Sequence, residues 1–177
     1  DRLNLEAVEF IERHRDRPFF LYKSHYAVHT RLDGRRDLVA KHAKKPGAGT
    51  DPGSKRNNVQ LAAQLEVIDC GVGQIVDKLR ELGLLEKTIV IFTSDNGGED
   101  RVTTNAPLRA GKSTLYEGGI REPLVVHWPG VVPPGSVCRV PVSSVDYYPT
   151  LLDAAGIEPD PRQKLDGVSF LPLLREP

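Results

Sequence analysis

Residues 88–98 read TIVIFTSDNGG, and the fold turns on them. The first seven, TIVIFTS, are short, apolar and β-branched, which predicts a buried strand. The run ends in Asp95-Asn96-Gly97-Gly98. Asp-Asn-Gly is ordinary turn chemistry, so these residues alone describe a capped turn after a strand. They also put a carboxylate beside a carboxamide where ligands collect in open α/β sheets, beyond the carboxyl end of a strand. Both side chains offer oxygens, the donors that a hard cation such as calcium takes. The paired glycines let another segment of backbone come close.

Upstream, Leu61, Leu65, Ile68, Val72, Ile75, Leu79 and Leu82 recur every three or four residues, which predicts a helix over 58–82. Gly83 is placed to stop it. Gly71 and Gly73 weaken its middle and predict close packing or a kink there. Residues 5–15 predict a shorter helix with Ala7, Val8 and Ile11 on one face, ended by Pro18. FFLY (19–22) reads as a strand buried on both faces, and KSHYAVHTRLDG after it as a polar loop. Residues 41–57 are basic and rich in Gly and Pro, a surface loop. Downstream, PLVVHWP (123–129) predicts another strand. SSVDYYPTLLDAAG (143–156) predicts a helix with a Ser or Asp cap and Gly156 at its end. Strands alternating with helices predict an α/β fold whose sheet is mostly parallel, with flanking helices. No internal repeat is present.

The 177 residues are enough for one domain with a core. Charges balance at 24 against 24, without the basic excess of a nucleic-acid binder. No apolar run approaches the roughly 18–20 residues of a membrane-spanning helix. Cys70 and Cys138 fit no metal-binding spacing, and two buried thiols are favoured over a disulfide.

Residues 106–114, APLRAGKST, end like a nucleotide-binding loop. The context excludes one. Position 106 is Ala where that loop needs Gly, the lead-in EDRVTTN is not a strand, and Gly118, Gly119 and Pro123 break the follow-on, where no helix is expected. Lys112 is either a surface lysine or a point charge reaching inward from a glycine-flanked turn. HYAVHTRL puts His25 and His29 just past FFLY, at a second strand end. His29 could donate a hydrogen bond to an anion or a leaving group, although a loop histidine is more often simply solvated.

Four blocks in order, PFFLYKSHYAVHT, LGLLEKTIVIFTSDNGG, NAPLRAGKSTLYEGGIREPLVVHWPG and DYYPTLLDAAGI with LDGVSFLPLL, closely resemble the later half of the catalytic domain of type I sulfatases. These are formylglycine-dependent arylsulfatases of the alkaline phosphatase superfamily. The resemblance covers nearly all of 1–177, the basic loop apart, and implies a partial sulfatase sheet. It implies that Asp95 and Asn96 are calcium ligands, that Lys112 contacts the sulfate oxygens, and that His29 lies near the sulfate and the leaving oxygen. Lys112 and His29 are thus the catalytic and substrate-binding candidates. A calcium ion, a lysine and a histidine around one sulfuryl group would stabilise the charge that builds up in transfer. Glu117, Gly118, Gly119 and Arg121 are read as shaping the turn that carries Lys112.

Two departures stand out. The family usually has proline two residues after this histidine, where the chain has Arg31, which adds a charge near the mouth of the site. The family's nucleophile comes from Cys/Ser-x-Pro/Ala-x-Arg, and neither Cys70 in DCGVG nor Cys138 in VCRVP fits. The acidic pair expected near the family's N-terminus and its small C-terminal sheet are also not found. The reading is a segment of a sulfate-ester hydrolase, inactive alone, acting in its full form on a sulfate-ester small molecule or sulfated sugar. Two alternatives are kept: a non-catalytic binding or assembly module, and a phosphatase or phosphodiesterase of the same superfamily. The last is disfavoured because Asn96 stands where such relatives place a zinc-binding histidine. An uncovered sheet edge predicts self-association. Localisation is open, periplasmic or secreted by analogy.

Overall fold

A computed structural model describes residues 2–51 and 54–176. Along the chain run α1 (Arg2–Arg13), α2 (Arg36–Ala43), α3 (Val59–Glu81), a 3-10 turn (Leu85–Lys87), β1 (Val90–Thr93), the single turn α4 (Glu117–Ile120), β2 (Leu124–His127), a second 3-10 turn (Ser144–Asp146), α5 (Tyr147–Ala155) and α6 (Leu171–Arg175). β1 and β2 pair in a two-stranded sheet. The chain divides into two compact units. One comprises Asp1–Leu85 and Ile91–Val125, the other Glu86–Val90 and Val126–Pro177.

The first unit is built on α3, which packs against α1 and α2. Asn58 caps α3, its side-chain oxygen accepting from the N–H groups of Gln60 (3.0 Å) and Leu61 (3.2 Å). Gly83 follows its end with φ +66°, a left-handed conformation that glycine adopts without strain. The buried line of α3 is Val59, Ala63, Gly71 and Leu79, four or eight residues apart. It is narrower than the apolar stripe of the sequence, and Leu65 stands half exposed. The reason is close approach: a Cβ on Gly71 would lie 2.4 Å from Oδ1 of Asn4, a buried residue of α1. A Cβ on Gly73 would meet nothing within 4 Å beyond its own helix. The glycine pair therefore marks close packing at Gly71 alone. Ala7 and Ile11 of α1 are buried as their spacing requires. Ile11 and Leu79 are the largest fully buried side chains, worth about 1.5–3 kcal/mol each.

The second unit is organised by α5. Ser143 and Asp146 form a capping box ahead of it, and Gly156 closes it at φ +65°. The Asp146 carboxyl accepts N–H bonds from Ser143 and Val168, which hold it below the usual carboxylate range. Phe170 and Leu171 are buried, and the Phe170 N–H donates to the hydroxyl of buried Thr150 at 2.9 Å.

Several expectations are corrected. FFLY forms no strand among the described residues, and its side chains alternate, with Phe20 70% and Tyr22 80% exposed. Four apolar residues supply side-chain burial but do not name a partner for the backbone. β1 and β2 are each four residues long, and neither contains a buried residue, where buried strands are expected. α2, whose last three residues fall in the stretch 41–57 read as a loop, is tied to α3 by Lys41 and His42, which both contact Glu66. α4 forms where no helix is expected. Cys70 and Cys138 are free and exposed, not buried. No described helix is long and apolar enough to cross a membrane.

Candidate functional site: two glycine-seamed turns and a histidine loop

The turn after β1 is anchored at its base. Thr93 Oγ1 donates to the Pro123 carbonyl at 3.0 Å, beside β2, and Ser94 Oγ donates to the Asn96 carbonyl at 3.0 Å. The Asn96 amide donates to Oδ2 of Asp95 at 2.6 Å, which aligns the two side chains and leaves an oxygen of each available.

A second turn, residues 109–119, closes on the first through main chain. Gly97 N–H donates to Gly119 O (3.1 Å), and Lys112 N–H donates to Gly98 O (3.1 Å). The approach is too tight for side chains. A Cβ on Gly97 would lie 1.8 Å from Gly118 O, and one on Gly111 would lie 2.4 Å from Gly98 O. Gly118 N–H donates to Arg109 O at 2.9 Å, which closes the second turn on itself. The Arg109 guanidinium sits 3.7 Å above the Tyr116 ring. Lys112 rides at the tip, between Ala110 (φ +58°) and Ser113 (φ +68°). Non-glycine residues in this region cost about 1–2 kcal/mol each, and such strain concentrates where a side chain must be aimed.

Asn105, missed by sequence reasoning, welds the seam. Its side chain accepts from Gly98 N–H (2.9 Å) and donates to Gly98 O (2.9 Å), as a strand partner would. Its position in a polar stretch carries no pattern that could have shown this. Glu99 and Glu122 were missed as well. Arg101 grips the Glu99 carboxylate with two bonds of 3.0 Å and holds it below its ordinary range, with the Lys112 charge adding to the effect. Burial pushes the Glu122 carboxyl up, and the Asp95 carboxylate pushes the same way. The fields of Lys112 and Asp95 thus reach acidic neighbours on the two turns. Arg121 pairs with Glu117 at 3.2 Å on the exposed side of α4, in keeping with a role in shaping the turn.

His29 lies in the same compact unit, on a tight turn in which its N–H donates to Tyr26 O at 2.9 Å. Its Nδ1 is 2.6 Å from the Thr30 carbonyl, so Nδ1 carries the proton and Nε2 is the nitrogen left for a ligand. The Tyr26 ring is 5.6 Å from the imidazole. The structure thus joins Asp95, Asn96 and Lys112 through one seam. No hydrogen bond among the described residues links His29 to them.

The donor set suits calcium in kind: one carboxylate and one carboxamide, held side by side, with no nitrogen or sulfur ligand. It supplies two of the roughly six to eight oxygens calcium takes. No three His, Cys, Asp or Glu side chains group around a metal position among the described residues.

Residues 1–157 match the Sulfatase family model. A sulfatase of Formosa agariphila is 41% identical over 172 residues, covering 91% of this chain and 30% of that protein. Human arylsulfatase A is 40% identical over 164 residues, covering 90% of this chain and 29% of that protein. The chain therefore spans less than a third of the length of these curated relatives. Among solved structures, Ps i-CgsB in complex with k-i-k-neocarrahexaose superposes with a TM-score of 0.87 at 35% identity, over 97% of this chain and 37% of that one. The fold is accordingly a partial α/β domain of the alkaline-phosphatase-like sulfatase type. A family match over most of the chain, with the seamed turns inside it, leads to one conclusion: this chain belongs to the sulfatase family.

Proposed function

We propose that this chain carries the calcium-holding and sulfate-holding turns of a sulfate-ester hydrolase. The observation that carries the reading is the glycine seam, which fixes Asp95 and Asn96 against Lys112 through main-chain bonds. Asp95 and Asn96 would hold calcium, which when bound supplies positive charge to offset that of the sulfate oxygens. Lys112 gives a second cation for a sulfate oxygen. His29 keeps its Nδ1–H on the Thr30 carbonyl, so the imidazolium form, protonated at Nε2 as well, would be the one to hand a proton to the ester oxygen as the S–O bond breaks. No Cys/Ser-x-Pro/Ala-x-Arg stretch lies in residues 1–177, so the chain by itself hydrolyses no sulfate ester. It is one segment of a catalytic domain. The k-i-k-neocarrahexaose bound in Ps i-CgsB supports a saccharide as the carrier of the sulfate ester. Exposed Phe20 and Tyr22 support self-association of the isolated chain, which light scattering reporting a monomer would reject.

The test is titration of the chain with inorganic sulfate in calcium, followed by NMR. Lys112→Ala is expected to weaken sulfate binding about tenfold, the loss of one charge-assisted contact. Asp95→Ala should remove the dependence of that binding on calcium. Sulfate affinity that ignores Lys112→Ala, in a variant with an unchanged circular dichroism spectrum, rejects the reading.

A further inference from the structure

The His29 turn carries two side chains that the proposed chemistry leaves unused. Tyr26 is 74% exposed, yet its ring stands 5.6 Å from the His29 imidazole, tilted 44° to it. The i→i+3 bond from His29 N–H to Tyr26 O holds the two residues at fixed ends of one turn. An aromatic ring left in water beside a histidine offers a flat apolar face, suited to the C–H face of a pyranose, with a hydroxyl at its rim. Arg31, two residues beyond His29, is exposed and enters no ion pair among the described residues. Neighbouring Arg35, by contrast, is committed to Asp37 at 2.6 Å. A free guanidinium presents a planar fork of donors that matches a sulfate or carboxylate with two parallel bonds. The family residue expected at this position, proline, has no such group.

Resting on the reading of His29 as a sulfate-proximal residue, we infer that Tyr26 and Arg31 form a specificity subsite. It takes a sugar ring bearing a second anionic group close to the ester that reacts. Tyr26 stacks on the ring and Arg31 binds the second anion, while His29, between them in sequence, faces the sulfate ester. The substrate class is thereby narrowed to polyanionic saccharides, with singly sulfated, otherwise neutral ones bound less tightly.

The experiment uses the full chain with calcium and two probes, a disaccharide with one sulfate and the same disaccharide with a second sulfate on the adjacent ring. Affinities are measured by calorimetry. The parent is expected to favour the disulfated probe by about tenfold, one charge-assisted pair. Arg31→Pro and Arg31→Ala should abolish that preference while leaving the monosulfated probe unaffected. Tyr26→Ala should weaken both probes about fivefold, and Tyr26→Phe should keep most of the affinity, since the ring face is retained. Lys112→Ala should weaken both probes and serves as the control for the underlying reading. If Lys112→Ala weakens both but Arg31→Ala keeps the preference, or Tyr26→Ala changes nothing, the subsite is overturned and the sulfatase reading stands. If the parent binds neither probe, or Lys112→Ala has no effect, the reading beneath it fails.

Discussion

Replacing Gly97 by alanine should separate the two site-bearing turns. The new Cβ would sit 1.8 Å from Gly118 O and 3.0 Å from the Gly119 Cα. Real Cβ atoms essentially never come within 3.0 Å of such a neighbour, so the turns must part by ~1.2 Å. That neighbour is backbone and cannot swing aside as a flexible side chain would. Gly97 is not among the residues with positive φ, so the effect is steric and not a matter of backbone preference. Overpacking of this kind costs about 1–3 kcal/mol. The parting also stretches the bonds from Gly97 N–H to Gly119 O and from Lys112 N–H to Gly98 O, worth about 1 kcal/mol each. A loss of about 3–5 kcal/mol follows, which for a domain of this size lowers Tm by roughly 6–20 °C. Sulfate affinity should fall with it, because a displacement of ~1 Å is enough to undo positioned contacts. Calorimetric melting and the sulfate titration read the two effects. A variant melting within about 1 °C of the parent, with parent-like sulfate affinity, would falsify the steric argument and with it the seam.

Three further outcomes are expected. Gly71→Ala should destabilise by about 1–3 kcal/mol because its Cβ meets Asn4, whereas Gly73→Ala, in open space, should stabilise by up to about 1 kcal/mol; equal melting shifts would contradict the packing of α1 on α3. Asn58→Ala should cost about 1 kcal/mol by uncapping α3, read from denaturant midpoints, and an unchanged midpoint would show the cap to be idle. The side-chain bonds from Arg35 hold the Asp37 carboxyl at about 2, down from 3.8, so its folded-state pKa is depressed. Its contribution is present above the unfolded value and disappears as pH falls from 3.8 toward 2. NMR titration should find the low midpoint, and Arg35→Ala should restore an ordinary one.

The helix over 58–82 was legible because three independent signals agree: the periodicity, Asn58 at its head and Gly83 at its foot. The same holds for α5, between its Ser143–Asp146 box and Gly156. The run FFLY misled because strand pairing is a relation between two segments, and one segment's composition holds only half of it. α2 was hidden in a charged stretch whose attachment, through His42 and Lys41 to Glu66, depends on a helix more than twenty residues away. At the site, Asp95, Asn96 and Lys112 were visible as residue types in glycine-rich surroundings. The seam that joins them was not, since a glycine declares permission for close approach without naming what approaches. Asn105 shows the limit most plainly: it imitates a backbone partner to Gly98, and no local pattern distinguishes it from a loop asparagine.

Because the two turns are stitched by amides and carbonyls, their union does not depend on which functional groups project from positions 95, 96 and 112. Architecture and reagent are therefore separable in this chain. A combinatorial library at those three positions can be searched for new anion or cation preferences while every member keeps the same main-chain stitching, which makes this portion of the molecule a chassis for re-equipping rather than a mosaic in which each part props up the next.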